Sequence, residues 1–141
     1  MEPRLEHANM TVVDIDETVR FLKTAFPEFA IRGQGYSGEG DWRRRWLHIG
    51  TQESYLALEQ ALKPAQSHET YREPGINHLG FIVGDIEATV ARLLAAGYKE
   101  GITALPHPFR KRRYFYDHDG NEFEFIEYFS ADFTERNDYS L

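Results

Sequence analysis

The chain has 141 residues, 41% of them apolar and 14% aromatic, with a formal net charge of -7. This length and composition suit one compact domain or two packed halves with a real core, and the acidic balance disfavours a phosphate-binding nucleic-acid surface. With no cysteine, disulfides, zinc-thiolate sites and thiol nucleophiles are excluded, so any metal must be held by His, Asp or Glu. Residues 5–13 form a short β-branched run. Asp14 and Asp16 follow it and can cap a helix on which Val19, Leu22 and Ala25 recur at helical spacing. Pro27 stops that helix. Strands are expected over 29–36 and 42–49, separated by a glycine turn at Gly38 and Gly40, and again over 54–60. Beyond a polar stretch broken by Pro64 and Pro74, the order repeats. A strand at 76–83 leads to a helix at 86–96 closed by Gly97, then a strand at 98–103. A hairpin over 112–128 turns at Asp117-His118-Asp119-Gly120. Arg110 and Lys111 are expected in a solvated loop.

The chain contains itself twice. HANMTVVDIDETVRFLKTA, starting at His7, returns 71 residues later as HLGFIVGDIEATVARLLAA, starting at His78, with eight of nineteen positions identical. Packing explains the apolar matches. Two histidines at equivalent points of equivalent strands would face one centre, where a metal could sit. On the last strand, Phe123 and Phe125 alternate with Glu122, Glu124 and Ile126, which turns Glu124 toward the cleft if the phenylalanines pack beneath the helices. Two imidazoles and one carboxylate suit a divalent transition metal with open positions for substrate.

Three segments, LEHANMTVVDIDETVRFL, INHLGFIVGDIEATVARLLAAGY and YFYDHDGNEFEFIEY, resemble the vicinal oxygen chelate superfamily of glyoxalase I, bleomycin-resistance proteins, fosfomycin-resistance thiol transferases and extradiol dioxygenases. The resemblance implies an α+β fold of two βαβββ modules related by pseudo-twofold symmetry, with curved mixed sheets around a cleft. The first module spans 1–62, a connecting loop 63–75, the second module 76–129 and a polar tail 130–141, mobile or packed on a partner. It also implies metal ligation by His7, His78 and Glu124, with Zn, Mn, Fe, Ni or Co as the ion, and a homodimer. Glyoxalase I carries a fourth ligand where this chain has Ala57. Glu59 lies two residues on, on the same face, as a candidate general base. The three-ligand pattern of the transferases and dioxygenases agrees better.

Strand alternation aims either Arg112 or Arg113 at the cleft, where a guanidinium could grip an anionic substrate group. Tyr55, Tyr114 and Tyr116 could line the same pocket or belong to the core. The function expected is chelation of vicinal oxygens of a small substrate by an isomerase, dioxygenase or thiol transferase. The alternative is metal-free sequestration of a ligand, as in the bleomycin-resistance proteins, which the aromatic residues would serve by stacking. Met1 leads into a charged, strand-like segment rather than a signal peptide, and no apolar run reaches the roughly 18 residues of a membrane span. A cytoplasmic protein without nucleic-acid or membrane partners is expected.

Overall fold

The structure, a computed structural model, describes residues 1–64 and 68–140. Two compact units divide the chain into residues 1–67 and 68–141, and each is a βαβββ module. The first contains β1 (His7–Val12), α1 (Ile15–Ala25), β2 (Ala30–Ser37), β3 (Arg44–Gly50) and β4 (Tyr55–Gln60), with its sheet in the order β1-β4-β3-β2. The second contains β5 (His78–Ile82), α2 (Ile86–Ala95), β6 (Lys99–Thr103), β7 (Arg110–Tyr116) and β8 (Glu122–Tyr128), in the equivalent order β5-β8-β7-β6. The first strand of each module pairs parallel with its last, and the other pairings are antiparallel. The two-module α+β expectation is met.

The repeated D-I-x-x-T has a local cause. Asp14 accepts the N–H groups of Asp16 and Glu17, at 2.9 and 3.2 Å, and Asp85 accepts that of Ala88 at 2.9 Å. These bonds satisfy orphan donors of the first helical turn. The buried hydroxyls of Thr18 and Thr89 each donate back to the carbonyl of the cap residue, at 3.1 and 3.0 Å. Each module's last strand adds one more acceptor for the helix. Gln60 Oε1 takes the N–H of Ile15 at 3.3 Å, and Glu127 Oε2 takes that of Ile86 at 2.8 Å.

Each helix buries one stripe on one face of its own sheet. Ile15, Phe21 and Leu22 join Leu47, Ile49, Leu56 and Leu58 in the first module, and Ile86, Val90 and Leu93 join Phe115, Phe123 and Phe125 in the second. Each fully buried side chain of this kind contributes roughly 1.5–3 kcal/mol. Because side chains alternate along a strand, committing the phenylalanines to the core turns Glu122 and Glu124 to the opposite face.

The structure departs from the sequence reading near the C-terminus. Arg110 and Lys111 belong to β7, paired with Tyr128 and Glu127, and Arg110 is buried. Part of the tail packs on its own module. A short helix, α3 (Phe133–Arg136), brings the carbonyls of Arg136 and Asp138 within 2.7 and 3.2 Å of the Arg110 guanidinium, which donates to both. Those charge-assisted bonds explain why Arg110 tolerates burial. Of the connection at 63–75, residues 65–67 lie outside the described residues. No helix among the described residues is long and apolar enough to cross a membrane.

Candidate functional site

The face of the second module's sheet opposite α2 gathers a polar cluster. Parallel register sets His78 beside Glu122 and Gly80 beside Glu124, while antiparallel register sets Tyr114 beside Glu124 and Tyr116 beside Glu122. Gly80 contributes by lacking a side chain: a Cβ there would lie 3.6 Å from Glu124 Oε2, so the carboxylate has room to lean toward His78. Nε2 of His78 is 3.1 Å from Glu124 Oε2, and its Nδ1 is 3.4 Å from Glu122 Oε1. Tyr114 donates to Glu124 Oε1 at 2.8 Å, and Tyr116 to Glu122 Oε2 at 3.1 Å. Tyr71, from the loop ahead of β5, donates to Glu122 Oε1 and lies 3.0 Å from His78 Nδ1.

Both glutamates are buried, at 7% and 8% exposure, so each depends on these hydroxyls to replace water. The phenols respond. The bond to Glu122, then burial, pushes Tyr71 up to about 12; burial, then the bond to Glu124, does the same for Tyr114. Tyr116 is raised as well, by burial ahead of its bond to Glu122. All three therefore remain donors across the physiological range.

The turn before β8 fixes where the glutamates fall. Asp117 accepts the N–H groups of Asp119 and Asn121, each at 2.9 Å, and Gly120 takes φ 82°, a left-handed conformation that glycine adopts without strain. Burial pushes the Asp117 carboxyl up, and hydrogen bonds from Asn121 oppose that shift. His118 pairs with neighbouring Asp119 at 3.0 Å, within the turn.

Arg112 and Arg113 separate. Arg112 lies opposite Ile126 and shares the face of Tyr114 and Glu124; its Nε is buried and has no hydrogen-bond partner. Arg113 lies opposite Phe125, on the helix side, where its Nε donates to Glu100. A cavity of about 600 Å³ next to β7 is lined by Arg110, Lys111, Arg112, Arg113, Thr103 and Phe129, among others, but not by His78 or Glu124.

The first module's corresponding face is aromatic. His7 stacks on Tyr55 with ring centres 4.8 Å apart, Tyr55 meets His48 at 5.0 Å, and His48 meets Trp46 at 5.0 Å. The Arg32 guanidinium lies 4.0 Å over the Tyr55 ring. Trp46 rests against Gly35, where a Cβ would come within 3.2 Å of its ring. Tyr55 stands where the second module has Glu122, and Ala57 where it has Glu124. Glu59 is ion-paired with Arg44 Nε at 2.6 Å. Trp42 is exposed in the turn before β3.

His78, Glu124, Tyr114 and Tyr116 are thus brought together within one module, whereas His7, Tyr55 and Glu59 share a face of the other. Among the described residues, no three or more His, Asp or Glu side chains are gathered as a metal-ion site. Sequence reasoning passed over Glu122 and Tyr71. Glu122 carried a signal, since it alternates with Glu124 on one face and lies nearer the start of the strand that pairs with His78. Tyr71 carried none, being a loop residue 51 positions from its partner Glu122.

A family model described as Glyoxalase/Bleomycin resistance protein/Dioxygenase superfamily matches residues 4–125. A glyoxalase family protein from Bacillus cereus superposes with TM-score 0.73 at 18% identity, covering 92% of this chain and 97% of its own. The fosfomycin resistance protein FosX from Mesorhizobium loti gives TM-score 0.65 at 22% identity, covering 96% and 98%. FosX from Listeria monocytogenes, crystallised with Mn(II) and sulfate, gives TM-score 0.65 at 20% identity, covering 96% and 98%. No curated protein matches the sequence.

Proposed function

Because the chain belongs to the glyoxalase/bleomycin resistance protein/dioxygenase superfamily, we propose that it is a metal-dependent enzyme in which His7, His78 and Glu124 hold a divalent ion. The supporting observation is the approach of His78 Nε2 to Glu124 Oε2 at 3.1 Å. Tyr71 donates its hydroxyl hydrogen bond to Glu122, so its oxygen meets His78 Nδ1 as an acceptor, and the hydrogen of a neutral ring belongs on Nδ1. Nε2 then turns a lone pair toward a carboxylate oxygen. Two electron-rich atoms at that distance need a proton or a metal cation beside them, and a neutral imidazole with a carboxylate is a donor set for Zn, Mn, Fe, Ni or Co. His7 on the first module supplies the third donor. The Mn(II) found with the Listeria FosX is consistent with this class of ion.

When bound, the ion supplies Lewis acidity, stabilising negative charge that develops on two adjacent substrate oxygens. The chain's own residues do the rest. Tyr114 holds Glu124 in place, and Tyr116 and Tyr114 line the approach to the site. Arg112, with a buried Nε that lacks an acceptor, anchors an anionic group of the substrate. Arg113 is occupied by Glu100 on the other face and takes no part. Tyr55 orients His7 by stacking. Glu59 serves as general base once an anionic substrate group draws Arg44 away from it. The reaction is of the isomerase, dioxygenase or thiol-transferase type, carried out by a homodimer on a small molecule.

A second reading, metal-free capture of a planar ligand, is favoured by the ring ladder from His7 through Tyr55 and His48 to Trp46, a surface suited to stacking. Elemental analysis of protein purified without chelators separates the two. Near-stoichiometric metal in the wild type, lost in His78→Ala, is the expected result. Wild-type protein that stays metal-free after reconstitution with each of the five ions sinks the enzyme reading. Tight binding of a planar ligand that quenches Trp46 would then establish the second.

A further inference from the structure

Behind His78 stands a pair of residues used neither as a metal donor nor as a substrate contact. Glu122 is buried on the Nδ1 side of the ring, 3.4 Å away, whereas Glu124 is on the Nε2 side. Both Glu122 oxygens accept from phenols, Oε1 from Tyr71 and Oε2 from Tyr116, whereas Glu124 accepts from Tyr114 at Oε1 and turns Oε2 to His78 Nε2. Tyr71 is the link. Its single hydroxyl hydrogen goes to Glu122, which leaves the oxygen lone pair, 3.0 Å from Nδ1, to receive a ring hydrogen.

The backbone at Tyr71 is built to reach this place. Its φ is 67°, in the left-handed region that a bulky aromatic residue occupies only when its surroundings enforce it. Its N–H donates to Asn77 Oδ1 at 2.6 Å, tying the loop to the residue just ahead of His78. The ring is 60% exposed, so burial does not hold it there. Its conformation is secured by the hydrogen bonds at its two ends.

We infer that Glu122 and Tyr71 are positioning residues that fix His78 as its Nδ1–H tautomer and so aim the Nε2 lone pair at the space beside Glu124. A free histidine side chain prefers the opposite tautomer, with hydrogen on Nε2, which would point a donor at Glu124 and close that space to a cation. The use of the lone pair rests on the metal reading above; the tautomer does not. Partners of this kind behind a metal-binding imidazole typically change metal affinity by about 10–100-fold when removed.

The test is a long-range ¹H–¹⁵N correlation spectrum of the imidazole nitrogens in the full-length, metal-free protein at a fixed pH of about 8, paired with Mn(II) titration. Wild type is expected to show His78 with a protonated Nδ1 and an unprotonated Nε2. Glu122→Gln, whose amide can donate to Nδ1, is expected to transfer the hydrogen to Nε2 and weaken Mn(II) binding about 10–100-fold. Tyr71→Phe removes only the link, at an exposed ring, and is expected to shift the tautomer population the same way; it remains informative if Glu122→Gln does not fold. An Nε2–H tautomer in wild type overturns the inference, as does an imidazolium protonated on both nitrogens or an unchanged tautomer in folded Glu122→Gln or Tyr71→Phe. The expected tautomers in a protein that binds no Mn(II) would uphold the positioning role and count against the metal reading alone.

Discussion

At the scale of single residues, charge is placed according to which face of β7 each side chain takes. Arg113, directed at the helix side, hydrogen-bonds Glu100 and holds that carboxyl below its ordinary 4.5. A depressed folded-state value stabilises the fold at pH above the unfolded value, and the contribution is lost as pH falls through the folded value. Glu100→Gln is therefore expected to lower stability at pH 7, by at most about 1 kcal/mol because the pair is partly exposed. Once the pH lies below the folded value, the variant and the wild type should converge. Urea midpoints measured at pH 7 and through an acid series check this, and an equal deficit throughout would mean that the pair is not the cause. Arg112, one residue earlier, faces the other way and keeps a buried Nε without an acceptor, an arrangement that costs stability until an anion arrives.

At the scale of elements, the hairpin between β3 and β4 shows how tightly the first module's sheet is closed. A Cβ on Gly50 would lie 2.3 Å from the Ser54 carbonyl oxygen and 2.5 Å from the Tyr55 Cα. Both obstacles are backbone, so nothing can rotate aside. Gly50→Ala is expected to cost about 1–3 kcal/mol or more through overpacking, with damage centred on Tyr55 and therefore on the stacking of His7. Gly33→Ala, whose Cβ would make an ordinary 3.6 Å contact with the Trp46 ring, should stay within about 0.5 kcal/mol of wild type. Thermal or chemical unfolding of the two variants side by side tests the contrast; equal losses would contradict the steric account. The helices are secured differently, each by an aspartate cap, a threonine bonded back to it and an acceptor from the module's last strand.

At the scale of the whole molecule, one architecture carries two differently furnished faces. Where the second module has Glu122 and Glu124 opposite the strand that bears His78, the first has Tyr55 and Ala57 opposite the strand that bears His7. The first face has therefore become a ring ladder with one imidazole, and the second a carboxylate cluster with one imidazole. The network that orients His78 lies wholly within the second module. His7→Ala is accordingly expected to weaken Mn(II) binding while leaving the His78 tautomer as in wild type, measured by titration and by the imidazole nitrogen spectrum. A tautomer change in that variant would show that the modules do not set their sites independently.

The sequence by itself determined the two-module fold, because its signals are local: caps, helical and strand periodicities and the D-x-D-G turn all act within a few residues, and they occur twice. It also made Glu124 legible as the neighbour of buried phenylalanines, since alternation along a strand needs no knowledge of the partner strand. Only the tertiary structure decided which of Arg112 and Arg113 shares a face with Glu124, because that depends on the antiparallel register of β7 against β8. Only the tertiary structure revealed Glu122 and Tyr71 at His78 Nδ1. Their meeting depends on the register of two parallel strands joined by a long crossover and on a loop returning over them, and contacts across such separations leave no periodic trace in the chain.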